Sequence, residues 1–296
     1  MKVFFLILFL GCVSIPALYA QDDSLMVALE KEQVPATEKV TGAFKSTRVI
    51  NNHSVEMLAT GNLDVRILHR FGYLNNGIKE FFGLDDASMR MGFDYGLTNG
   101  LNIGIGRSTF RKELDGFIKY RIFHQTRGIK NFPFSVILLQ GISTWTEKSF
   151  TGKVSAEDRT AYYTQLIIGR KFSDKFSLQL TPTYLHRNMA FETGYNKANF
   201  VLGIGSRMKV NKRMALTLDY THSFTDLPDN YYNALSLGID IETGGHVFQM
   251  HFSNSTGMNE RAYITETTGN FLKGDIRFGF NLSRIFVVKK KASIRL

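Results

Sequence analysis

Met250-His251-Phe252-Ser253-Asn254 is the one run in this 296-residue sequence whose spacing suggests catalysis. Residues two apart on a strand share a face, so His251 could take the hydroxyl proton of Ser253 and leave it a nucleophile, the chemistry of a hydrolase. A separate side chain must then orient the imidazole, and Asn259 is the nominal candidate. Gly104-Ile105-Gly106 has the outline of a phosphate loop, but such a loop needs a helix starting directly after it to offer its amides. Here Arg107-Ser108-Thr109-Phe110 continues a strand, and the glycines make room in a crowded interior. The seven histidines show no His-x-x-x-His spacing, so neither metal nor cofactor is expected. Asp85-Asp86 either caps a turn, as aspartate commonly does, or meets a divalent ion.

The remaining candidates are charges set on a regular pattern. Asp64 and Arg66, Arg90 and Asp94, Asp115, Lys119 and Arg121, Asp219, Asp240 and Glu242, His251, and Arg277 all occupy every second position of segments whose intervening residues are apolar. Leu63, Val65 and Ile67 alternate with the first pair; Phe278, Phe280 and Leu282 flank the positions after the last. This is the period of a sheet with two unlike faces. The segments run roughly 9 to 13 residues, the length a tilted strand needs to cross a bilayer, and longer than the usual strand of a soluble sandwich.

Connection lengths agree. Long connections near 73–86, 146–158, 188–198 and 254–274 interleave with the tight turns Thr98-Asn99-Gly100, Ser173-Asp174-Lys175, Asn211-Lys212 and Thr243-Gly244-Gly245. Thr126 to Asn131 falls where a tight turn belongs and is longer than one. The expectation is an all-β chain: a transmembrane antiparallel up-and-down β-barrel of about 12 strands, within a range of about 10 to 14, spanning 61–286 with its first strand near 61–71. The apolar set then meets hydrocarbon and the charged set lines the lumen. Ionised groups at membrane depth are tolerated when they face water or one another. Paired across the interior they make a closed barrel; segregated into two walls they make a pore.

The ends suggest export. Lys2, the apolar run Val3 to Leu10, Pro16 and Ala17-Leu18-Tyr19-Ala20 read as a signal peptide over 1–20, cleaved near Ala20, because the apolar core is too short to span a bilayer as a helix. Cys12 is the only cysteine and falls inside that signal, which excludes disulfides and thiolate chemistry from the mature chain. Residues 21–60 are expected as an N-terminal periplasmic extension or plug, with a helix over Leu25 to Glu32 and a strand over Val40 to Ile50. Residues 287–296 are expected as a basic C-terminal tail. The formal charge of +10 fits a rim and tail drawn to lipid phosphates, with no nucleic acid as partner.

His69-Arg70-Phe71-Gly72, Phe82-Gly83-Leu84-Asp85-Asp86-Ala87, Gly104-Ile105-Gly106-Arg107-Ser108 and Phe278-Gly279-Phe280-Asn281-Leu282-Ser283-Arg284 resemble an uncharacterised group of Bacteroidota outer-membrane barrels, domain of unknown function 5777. The resemblance covers most of 40–286. It implies a barrel in the outer membrane and no particular activity. The run Arg277 to Phe286 is similar to the terminal signal read by the barrel-assembly machinery, although the chain continues past it. Outer-membrane phospholipases carry a His-x-Ser-Asn run like that at His251, but they present it to lipid, whereas alternation here turns His251 and Ser253 inward.

The functional expectation is a non-enzymatic narrow polar channel or small-solute binding barrel in the outer membrane. Its surroundings would be outer-membrane lipid and lipopolysaccharide. The alternatives left open are a structural barrel with a plugged lumen and a hydrolase using His251 and Ser253.

Overall fold

The computed structural model describes residues 37–147, 154–189, 196–243 and 246–289. The expected signal peptide, the expected helix over Leu25 to Glu32, the turn glycines Gly244 and Gly245 and most of the basic tail lie outside the described residues.

Period-two alternation yields twelve long strands: β1 Asn62–Tyr73, β2 Ala87–Thr98, β3 Leu101–Ser108, β4 Leu114–Phe123, β5 Ser135–Thr144, β6 Thr160–Lys171, β7 Phe176–Arg187, β8 Ala198–Lys209, β9 Met214–Ser223, β10 Leu235–Thr243, β11 His246–Ser253 and β12 Arg277–Val287. Each pairs antiparallel with its neighbour, and β12 pairs with β1, Phe280 lying opposite His69, so the barrel closes. Closure is what hydrocarbon demands, since an open edge would leave a row of amides without partners. Phe93, Ile105, Ile118, Phe200 and Leu237 are exposed on the outer face, while Asp94, Lys119, Gln179 and Asp219 are buried on the inner one.

Short connections cluster at one end and the connections 74–86, 109–113, 145–159, 188–197, 224–234 and 254–276 at the other. The 124–134 connection exceeds the tight turn expected there. Within it, Thr126–Arg127 pairs antiparallel with Glu38–Lys39, tying the N-terminal chain to this end.

The interior corrects two expectations. The chain from Ala43 to Leu58 passes through the lumen as irregular backbone, not as a strand over Val40 to Ile50, because its amides bond to wall side chains instead of a ladder. The inner face is also not uniformly polar. Phe117, Ile137, Leu139, Tyr163, Ile167, Leu185 and Val201 point inward from β4 to β8 and form one apolar cluster with Val49 and Val55 of the luminal segment. Tyr263 and Ile264 complete that cluster from the long 254–276 connection, whose helix α1 (Glu260–Thr265) is buried at every residue. The lumen is therefore packed like a protein interior. Gly104 and Gly106 are small for that reason: a Cβ at the first would strike the Phe117 ring, and at the second the Arg90 guanidinium.

Candidate functional site

The site is the contact between the luminal segment and the barrel wall. Asp219 projects inward from β9 and accepts the backbone N–H groups of Ile50, Asn51 and Asn52 on Oδ2 at 3.0, 2.7 and 2.9 Å, while Oδ1 accepts the Asn52 side-chain amide at 2.5 Å. One carboxylate thus satisfies three successive donors that irregular backbone would otherwise bury unpaired. On β4, Lys119 donates Nζ to the carbonyls of Ser54 and Glu56, both at 2.7 Å, and Arg121 donates to Val55 O at 3.1 Å. Gln179 on β7 reads both groups of the peptide backbone, donating to His53 O at 2.7 Å and accepting from Val55 N at 3.2 Å.

Other inward side chains repeat this logic. Arg66 donates to Thr47 Oγ1 at 2.7 Å and to Asp64 at 2.5 Å, and Thr47 donates to Asp94 at 3.2 Å. Gln249 donates to Val49 O at 2.6 Å and is braced by Asp240 at 2.5 Å. Glu242 meets Lys45 at 2.7 Å at the tight-turn end. Arg90 and Asp115 pair with each other at 2.5 Å, and Arg277 donates to Phe71 O at 3.1 Å while lying over the Tyr73 ring. All twelve charged or histidine positions singled out from the alternation therefore sit on the inner side of the barrel or its rim. They brace the wall and the segment within it.

His251 and Ser253 do share the inner face, and their bonds are structural. His251 Nε2 accepts from Arg70 Nε at 3.2 Å, which occupies the lone pair a general base would use. Ser253 Oγ accepts from Ser236 at 2.8 Å and from the Ser255 amide at 3.2 Å. Asn259, the nominal orienting residue, instead caps α1 by accepting from Ala262 N at 2.9 Å.

Several central residues were not singled out from the sequence. Arg70 donates to the carbonyls of Ser255 and Gly257 at 2.8 and 2.9 Å and also to the Asn51 side chain, so it joins wall, segment and long connection. Its signal was present: Asp64, Arg66, Leu68 and Arg70 keep one period. Arg48, His53 and Glu260 form a buried cluster. Arg48 donates to Glu260 at 3.1 Å and to His53 Nε2 at 3.0 Å, and His53 packs edge-on against Phe117. Burial first, then Arg48 and the cations Lys119, Arg90 and Arg66, hold His53 well below the ordinary imidazole value, so it is neutral. Arg261 of α1 spans Glu113 at 2.6 Å and Glu266, fixing the helix to the 109–113 connection. The luminal segment and the long connection thus meet each other inside the barrel at Arg48–Glu260 and at Tyr263, whose hydroxyl donates to Asn52 at 3.0 Å. A partly open cavity of about 130 Å³ remains between Phe44, Thr47, Glu56, Asp64 and Ser283, which is room for ordered water.

A family profile described as "Membrane bound beta barrel domain (DUF5777)" matches residues 44–286. No curated protein matches the chain. Among solved structures, the NanC porin is similar at 9 % identity and a TM-score of 0.47, covering 77 % of this chain and 100 % of that one. The KdgM porin is similar at 10 % identity and 0.46, covering 76 % and 99 %. OmpT of Vibrio cholerae follows at 10 % identity and 0.37, covering 78 % and 99 %. At these scores the likenesses add nothing to the architecture described above and do not bear on cargo.

Proposed function

The chain belongs to this family of membrane-bound β-barrel domains, and from that premise we propose that it is a non-enzymatic outer-membrane transport barrel for small polar solutes, closed by its own residues 43–58. The tight-turn end, from which the luminal segment enters, faces the periplasm; the long connections face outward. Residues 1–20 are removed on export, the barrel-assembly machinery inserts the chain, and lipid and lipopolysaccharide surround it.

One observation supports closure by a displaceable element. The segment has no ladder of its own along 43–58 apart from the single bridge Arg48–His53. It is held largely by side chains of the wall, through bonds such as those of Asp219, Lys119 and Gln179. Water can take over such bonds at a net cost of about 1 kcal/mol each. Withdrawal of the segment would expose the apolar side chains of β4 to β8 beside Asp64, Arg66, Arg90, Asp94, Asp115, Lys119 and Arg121, groups that water solvates well. Liposome swelling tests this. Asp219→Ala should admit small polar solutes faster than the unsubstituted protein. An unchanged rate in a variant that retains heat-modifiable migration on a gel favours a permanently filled, structural barrel.

A further inference from the structure

The periplasmic rim carries a recess whose chemistry the transport reading does not use. A cavity of about 450 Å³ opens there, lined by Lys39, Asn99, Gly100, Arg121, Ile122 and His124. Its two sides differ. Lys39 is exposed and Arg121 half-buried, so their positive charge gathers on one side; half-buried His124 beside them, which burial holds below the ordinary imidazole value, adds a polar ring. Ile122 faces outward at 41 % exposure, with Tyr120 and Phe123 exposed on the same strand, so the other side continues into the lipid-facing wall. A recess straddling a cationic lumen rim and an apolar outer face matches an amphiphile with an anionic head.

The distribution of charge over the molecule agrees. At the tight-turn end, the described stretches 37–45, 121–130, 170–175, 209–213 and 284–289, together with position 242, carry thirteen Lys and Arg against Glu38, Asp174 and Glu242. Glu242 and Asp174 are already paired, with Lys45 and Lys171. The described connections at the opposite end carry seven Lys and Arg against twelve Asp and Glu. Basic clusters at a membrane surface attract anionic headgroups within about a Debye length, and pockets at helix or strand ends hold individual ones. Arg and Lys also bind phosphate oxygens through charge-assisted hydrogen bonds.

We propose that this recess binds the phosphate of an anionic glycerophospholipid of the periplasmic leaflet, with Lys39, Arg121 and His124 around the headgroup and an acyl chain lying along Ile122 and Tyr120. The leaflet assignment rests on the orientation given under Proposed function; the binding itself does not.

Native mass spectrometry of the full chain released from detergent reads lipid occupancy whether or not the luminal segment moves, so its failure is separable from failure of the transport reading. Phosphatidylglycerol should be retained in preference to phosphatidylcholine, and the Lys39→Gln/His124→Gln double variant should lose that preference several-fold. Arg121 is left in place because it also holds Val55. Arg127→Gln, on the same rim outside the recess, should bind as the unsubstituted protein does. Equal loss in both variants would mean diffuse rim charge and overturn the site. Retention of phosphatidylglycerol by the double variant would overturn it as well. Displacement of the lipid by millimolar inorganic phosphate would make the recess a site for free anions and refute the lipid assignment.

Discussion

Asp219 shows how much of the closed state rests on single side chains. Removing its carboxylate leaves the amides of Ile50, Asn51 and Asn52 buried without an acceptor. Stranding several donors costs about 3 to 5 kcal/mol, so Asp219→Ala should lower the thermal midpoint and make the 43–58 stretch accessible to protease before the barrel unfolds. His53 supplies a pH dependence of known sign. Its value is depressed in the folded protein, so the stability it contributes is fully present above its ordinary 6.5 and is lost as the pH falls below that toward the folded value. Acidification from about pH 7 to pH 5 should therefore weaken closure, and His53→Gln should flatten that dependence in a thermal melt. At this scale the sequence was partly legible. Alternation located Asp219, Lys119 and Arg66 on the inner face, but period alone does not say whether an inward charge meets water, another wall charge or a threaded backbone. Arg48, His53 and Glu260 lie outside the strands, where no period exists to place them.

The elements divide the same way. Strands were legible because a two-faced sheet in lipid imposes an alternation, which most of β1 through β12 follow. β5 is the informative exception. Ser135–Thr144 reads as apolar on both faces because Leu138 and Ile142 meet lipid while Ile137 and Leu139 meet the luminal core, the pattern of a strand buried on both sides. A continuous apolar run inside an alternating series was thus a sign of a filled lumen, shared by inward Phe117, Tyr163, Ile167, Leu185 and Val201 on the neighbouring strands. The 254–276 connection was legible as long, but not as inward-folding, since its buried helix has six residues and no amphipathic period. Its attachment is testable. Arg261→Ala strands the buried carboxylate of Glu113 and leaves Glu266 with Arg111 alone, which should cost about 3 to 5 kcal/mol. Urea titration followed by the near-ultraviolet signal of Tyr263 and its neighbours should show the loss without a change in strand content.

For the whole molecule, strand number, closure and the direction of each face followed from physics that acts at every residue: hydrocarbon outside and obligatory pairing of backbone amides. What fills the inside did not follow, because a lumen wide enough to hold side chains is also wide enough to hold a segment of chain, and the choice depends on contacts between residues more than 150 apart, such as Asn52 with Asp219 and Arg48 with Glu260. The same long-range contacts join the luminal segment to the long 254–276 connection, so that movement of either should loosen the other. Single-channel recording in planar bilayers tests this account most directly. The unsubstituted protein should insert and stay closed apart from brief openings, and the Asp219→Ala/Lys119→Gln variant should show long-lived ohmic steps. Steady conductance in the unsubstituted protein, or a folded double variant that never conducts, would contradict closure by residues 43–58.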